Sequence, residues 1–93
     1  MELKINNGEL IEQRTIDVAS IAAGSSNQSD IVVNGARGGM VFLIAIALSE
    51  VNSGLLWQTV SVCETDGAVP VRFLNATASP IDPGPMQISF IAV

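Results

Sequence analysis

The residues that could do chemistry are few, and they gather at one turn. Cys63-Glu-Thr-Asp66 sets a thiol and two carboxylates side by side, immediately before Gly67. A cysteine nucleophile needs a base beside it, and the chain has no histidine and no tyrosine. That removes the commonest general base, the commonest metal ligand and every Ser-His-Asp arrangement. Cys63 therefore reads as a small buried apolar residue. As the only cysteine it can close no disulfide within the chain. Glu64 and Asp66 could seed a carboxylate pair or a calcium site. The multi-ligand spacing of a calcium loop is missing, and two solvated acids on a turn are the simpler reading. No catalytic residue, metal ligand or cofactor site is predicted, and the chain reads as a non-enzyme.

Four other features could bind something. Gly35, Gly38 and Gly39 do not fit the dinucleotide fingerprint, and a strand rather than a helix follows them. A phosphate cradle needs a helix N-terminus or a nest, so a corner turn requiring positive φ is preferred. Asn27-Gln-Ser29 and Asn75-Ala-Thr77 match the glycosylation sequon, but are read as chance. Arg72 lies inside an apolar strand between Pro70 and Leu74. A charge there must be paired or at an edge, either with an acid of the same chain such as Asp82 or with one on a neighbouring subunit. Trp57 is core by default, but a tryptophan on an exposed face is also a typical interface anchor.

The elements that must position these groups are strands. From Met40 to Leu48 no residue is polar. Alternate side chains of a strand go to opposite faces, so Met40, Phe42, Ile44, Ile46 and Leu48 share one face and Val41, Leu43, Ala45 and Ala47 the other. Both faces are apolar and both need cover. One can pack on the domain's own core; the other needs a second layer, which a short chain can borrow from another subunit. Thr15–Val18, Ser29–Asn34, Leu55–Glu64, Ala68–Asn75 and Met86–Val93 read as further strands, making six in all. Within them Leu56, Val60 and Val62 oppose Leu55, Trp57, Thr59, Ser61 and Cys63; Val69, Val71 and Phe73 oppose Pro70, Arg72 and Leu74; and Met86, Ile88, Phe90 and Ala92 form an inward face. Pro70 cannot donate a ladder hydrogen bond, so it marks an edge or a bulge. Residues 20–28 read as a polar, small-residue turn. Glu2–Ile5, Asn6-Asn7-Gly8 and Glu9–Arg14 read as a short hairpin, Asn-Gly being the strongest hairpin signal. Residues 1–14 are thus predicted to be an arm that docks elsewhere, and residues 15–93 the domain. No segment keeps a helical period. The fold class is all-β: a single antiparallel β-sandwich, jelly-roll or Ig-like, with an N-terminal arm.

Composition bounds the partners. The 93 residues make one domain with a modest core. Charged residues are 14% against a usual ~25%, and hydrophobic ones 48%, a surface poor in charge for a free monomer. Nine acids stand against Lys4, Arg14, Arg37 and Arg72, for a net charge of −5. Nucleic acid needs a basic footprint and a membrane surface a Lys/Arg face; the chain offers neither. The nine-residue apolar run is too short for a membrane helix of ~20 residues. The start Met1-Glu-Leu-Lys4 lacks the apolar run of a secretory leader, so synthesis in the cytoplasm is expected.

From Ile16 onward the order of motifs resembles a small all-β domain of tailed-bacteriophage virion proteins. A strand enters Ser20-Ile-Ala-Ala-Gly24; the next ends in Val33-Asn-Gly-Ala36; Gly54-Leu55 opens a long strand; Val69-Pro-Val-Arg-Phe-Leu-Asn75 precedes Ala-Thr-Ala and Ile81-Asp-Pro83. The family often has Gly-Asp before a less apolar central strand, where Gly38-Gly39-Met40 stands here. That departure favours a buried, interfacial role over a fibre tip. The resemblance implies a capsid decoration (cement) protein on the virion surface, clamping the major capsid protein, as a homotrimer. The alternative is a fibre or tail-tip domain binding a host receptor or glycan, against which the single Trp and absent Tyr argue. Under the cement reading Leu3, Ile5, Arg37, Phe42, Ile44, Trp57 and Arg72 are the predicted oligomer or capsid contacts.

Overall fold

A computed structural model describes residues 9–93 and places them in two antiparallel sheets. The strands are β1 (Glu9–Val18), β2 (Ser26–Val32), β3 (Val41–Ile46), β4 (Leu55–Trp57), β5 (Val60–Val62), β6 (Ala68–Asn75) and β7 (Gly84–Ala92), with one turn of 3-10 helix at Leu48–Glu50. One sheet runs β1-β7-β3-β5 and the other β2-β6-β4. The pairings are nested: β1 with β7, β2 with β6, β3 with β5, as if one long hairpin had been rolled up with its tip at β4. That is a jelly-roll order. The Ig order would put the first strand beside the second, whereas here β1 lies beside the last.

Period-two alternation builds the core between the sheets. Phe42, Ile44 and Ile46 of β3, Met86, Ile88 and Phe90 of β7, and Val69, Val71 and Phe73 of β6 are all buried. Their neighbours Leu43, Gln87, Arg72 and Leu74 face outward. Ile21 and Ile81, joined as an isolated bridge by hydrogen bonds of 2.7 and 3.0 Å, close one end of the core. Residues 20–25 thus hold a buried anchor as well as a turn, and residues 26–28, expected in the turn, are the start of β2.

Two expectations change. The predicted long strand over residues 55–64 is two strands in different sheets. Gln58 N–H still donates to Arg72 C=O of β6 (2.9 Å), while Thr59 C=O already accepts from Ile44 N–H of β3 (2.8 Å). The chain changes sheet at that peptide, where the alternation lapses: Gln58, Thr59 and Val60 are all exposed, so Thr59 does not join the inner face. The pattern then resumes in step, with Leu55, Ser61 and Cys63 buried and Leu56, Val60 and Val62 exposed. The predicted arm boundary also moves. Residues 9–14 are the first half of β1, paired with β7 from Glu9↔Ala92 to Arg14↔Ile88 across a bulge at Leu10/Glu12. They belong to the domain's own sheet. Residues 1–8, with the predicted Asn6-Asn7-Gly8 hairpin turn, lie outside the described residues.

The open edge of β1 carries inward-pointing charge. Glu12 and Arg14 share the face of Ile16 and Val18 and form an ion pair at 3.0 Å. Glu12 also accepts the Asn34 N–H (2.9 Å), tying β1 to the end of β2. Inward charge on an edge strand discourages a foreign strand from adding there. Pro70 sits where the opposite sheet has a local edge: β4 pairs β6 only over residues 73–75. With no strand on that side of β6 there, the N–H that proline lacks has no ladder acceptor to miss, and Pro70 C=O accepts from the Ser61 hydroxyl (2.6 Å).

Candidate contact surfaces

The chemistry-bearing turn becomes a clasp in the fold. Asp66 accepts the Gly38 N–H (2.8 Å), Cys63 and Met40 bond through Cys63 N–H (2.8 Å), Gly39 N–H returns to Cys63 C=O (2.8 Å), and Gly67 N–H reaches Ala36 C=O (2.8 Å). Gly35 and Gly39 have φ of +86° and +93°, the left-handed backbone that favours glycine. The glycine corner and the 63–67 turn therefore hold each other by backbone groups. Cys63 is fully buried, its sulfur 3.1 Å from Thr65 C=O and 3.2 Å from Ala68 C=O. Both neighbours are carbonyl oxygens, acceptors for the S–H. No cluster of three or more metal-ligating side chains occurs among the described residues. Nor is any helix among them long and apolar enough to cross a membrane.

Asn75, singled out only as a sequon, has a structural part that the sequence did not disclose. It is fully buried at the end of β6. Its Nδ2 donates to Ile21 C=O (3.0 Å) and Ser79 C=O (2.7 Å); its Oδ1 accepts from Thr77 N–H (2.9 Å) and Thr77 Oγ1 (2.7 Å). The Asn-x-Thr spacing that suggested modification is what lets the side chain fold back on its own loop. The other sequon asparagine, Asn27, is half-buried in β2.

Of the predicted contact residues, Leu3 and Ile5 lie outside the described residues. Phe42 and Ile44 are corrected: at 0% and 3% exposure they fill the chain's own core, and no partner reaches them without opening the sandwich. The outward residues of the same strand are Val41, Leu43 and Ala45. Trp57 is half-buried against the core, and its Nε1–H donates to Ile44 C=O (3.1 Å), linking the two sheets. Arg72 does not pair with Asp82. It is exposed and donates to the Gln28 amide oxygen (3.1 Å), whose Nε2 donates to Asp30 (3.1 Å). Asp82 instead caps its own turn at Gly84 N–H (3.3 Å). Arg37 is exposed on the glycine corner, well away in sequence and sheet from Arg72.

The exposed apolar side chains collect on the two outer faces. On the four-stranded sheet Val41↔Val62 and Leu43↔Val60 are cross-strand pairs, with Leu43↔Ile91 beside them and Val93 N–H bonded to Val41 C=O (3.0 Å). Val60 and Val62 are each 49% exposed, Val93 67% and Leu43 36%. Toward the other end of this face the surface turns polar: Gln13 Nε2 donates to Ser89 Oγ (3.0 Å), Gln87 stands beside it, and Glu50 lines the same hollow. On the three-stranded sheet Leu56↔Leu74 is an exposed cross-strand pair next to Arg72 and the Trp57 edge. The sequence signal was present in the alternation of Val60 and Val62 with Ser61 and Cys63, and of Gln87 and Ser89 with Ile88 and Phe90. No protein-family model matches the chain, and neither a curated protein nor a solved structure does.

Proposed function

We propose that the chain is a structural virion protein of the capsid-decoration (cement) kind, which associates with its own copies and binds the outside of a phage shell at its major capsid protein. The observation that carries this reading is the pair of exposed apolar strips on opposite outer faces of one sandwich, Val41/Leu43/Val60/Val62/Val93 on one and Leu56/Leu74 on the other. A clamp needs contact surface on a rigid scaffold, one surface for its own copies and one for the shell, and no reacting group. Exposed apolar patches of this sort mark interaction sites. The motif order described above supplies the virion context.

Gradient-purified virions, probed with gold-labelled antibody against the chain and imaged by electron microscopy, test the reading. Label over the shell is the expected result. Label confined to the tail would replace it with the fibre or tail-tip role, and no label on any particle would remove the virion role.

A further inference from the structure

We propose that Asn34-Gly35 is a self-modification site, at which the main chain cyclises onto the Asn34 amide and leaves aspartate or isoaspartate, untying β1 from the end of β2. The change needs neither a shell nor a second copy of the chain.

The reaction needs a side-chain amide, the backbone nitrogen that follows it, and water. A Cβ on the following residue hinders the attack, and a hydrogen bond on its N–H restrains it. Gly35 has no Cβ, its φ is +86°, and open space surrounds it. Its N–H is idle as well. Along the corner Val33 N–H donates to Gly67 C=O (2.9 Å), Asn34 N–H to Glu12 (2.9 Å) and Ala36 N–H to Val33 C=O (3.2 Å). Arg37 N–H donates to the Met40 sulfur (3.3 Å) and Gly38 N–H to Asp66 (2.8 Å). Among the described residues Gly35 N–H donates to nothing. Asn34 and Gly35 are both exposed, so water reaches them. The corresponding pair Asp66-Gly67 is locked instead: Gly67 N–H is held by Ala36 C=O (2.8 Å), and Asp66 Oδ1 by Gly38 N–H.

The turn is lightly closed. The 3.2 Å bond from Ala36 N–H to Val33 C=O spans it, and glycine lets the peptide between Asn34 and Gly35 rotate at little steric cost. Once that peptide swings toward the side chain, the Gly35 nitrogen, its proton taken by hydroxide, bonds to Asn34 Cγ. The Cγ–Nδ2 bond breaks, and Nδ2 takes a proton from water and leaves as ammonia. Water then opens either C–N bond of the resulting succinimide. One opening restores the main chain and leaves aspartate; the other routes the main chain through Cγ as isoaspartate. No oxidant or reductant is involved.

The product matters because of what Asn34 ties. Its Nδ2 donates to Glu12 Oε1 (3.3 Å) while its N–H donates to Oε2. An acid in its place loses the Nδ2 donor and sets a carboxylate against Glu12. Arg14 is already the ion-pair partner of Glu12 (3.0 Å), so one cation then faces two acids, and like charges this close repel. Isoaspartate also lengthens the main chain within the corner that the 63–67 turn holds.

The folded full chain is held in mildly alkaline and in mildly acidic buffer, and the unfolded chain in alkaline urea, before digestion with trypsin. Cleavage after Arg14 and Arg37 puts Asn34 in the peptide of residues 15–37, apart from Asn7-Gly8. Fragmentation mass spectrometry is expected to find the amide-to-acid mass gain at Asn34 in the folded chain, faster in the alkaline buffer, with isoaspartate among the products. Asn34→Asp, which supplies one product directly, should lower the melting temperature by about 2–8 °C. Conversion in urea with none in the folded chain, a gain at Asn27 or Asn52 with Asn34 intact, or isoaspartate at Asp66 ahead of Asn34 would each overturn the site. A rate no faster in the alkaline buffer would overturn the cyclisation. Asn34→Asp melting like the parent would overturn the untying of β1.

Discussion

Replacing Asn75 by alanine tests whether one buried amide holds one end of the sandwich closed. The side chain makes four hydrogen bonds, to Ile21 C=O, Ser79 C=O, Thr77 N–H and Thr77 Oγ1. Ile21 C=O still accepts from Ile81 N–H (3.0 Å), and the single Thr77 hydroxyl proton, released from Asn75 Oδ1, can go to Ser79 C=O (2.8 Å), so one of the four bonds is replaced. Thr77 N–H loses its acceptor. Counting about 1 kcal/mol for each of three net losses gives about 3 kcal/mol, from a total of roughly 5–14 kcal/mol for a domain of this size. At 4–8 °C per kcal/mol the melting temperature should fall by about 12–24 °C. Thermal and urea unfolding followed by far-ultraviolet circular dichroism reads both quantities. Asn75→Asp keeps the volume and the acceptor but loses both donors and buries a charge, so it should be at least as damaging. A fall of less than about 4 °C in Asn75→Ala, corresponding to under 1 kcal/mol, would refute the reasoning. A harmless Asn75→Asp would show that the donors carry nothing.

Gly54 has φ of +86°, and a Cβ there would collide with the Thr77 methyl. Gly54→Ala should cost about 2–4 kcal/mol from backbone strain and overpacking together, and adding Thr77→Ser should recover part of the lost melting temperature. Ile44→Asp places an unpartnered carboxylate in the core, at several kcal/mol, and should abolish soluble expression; normal yield would mean that Ile44 is not in the core. A chain begun at Thr15 loses the β1 pairing from Glu9↔Ala92 to Arg14↔Ile88 and uncovers the flank of β7. It should fail to give a cooperative melt, whereas a cooperative melt near the parent's would return residues 9–14 to the arm.

The layered all-β fold was legible because alternation holds along the strands that line the core. Val69, Val71 and Phe73 point inward whether or not β6 has a neighbour on both sides, and Met86, Ile88 and Phe90 do the same on β7. The change of sheet at Gln58-Thr59 was not legible, since the burial alternation lapses there for only three exposed residues and resumes in the same phase, and no residue type in Leu55–Glu64 breaks the strand pattern. Asn75 was hidden for a different reason: a single buried amide is set by the carbonyls around it, which belong to residues 54 positions upstream and four downstream. On β3 both faces are apolar, so sequence alone could not say that Phe42 and Ile44 face the core and Leu43 the outside. Register with β7, whose two faces differ in polarity, decides it.

The peptide at which the chain changes sheet has a mechanical meaning. The segment from Leu55 to Val62 is bonded to β6 at one end and to β3 at the other. Sliding one layer over the other must therefore stretch a covalent strap and break ladder bonds on both sides at once. The two ends of β6 are fastened differently, by the Ser61 hydroxyl at Pro70 and by the Asn75 amide at the far end. A pull applied in the plane of the sheets meets several bonds loaded in parallel. A pull that peels β1 from β7 meets them one rung at a time, so the sandwich should yield under force from the β1 edge long before it shears.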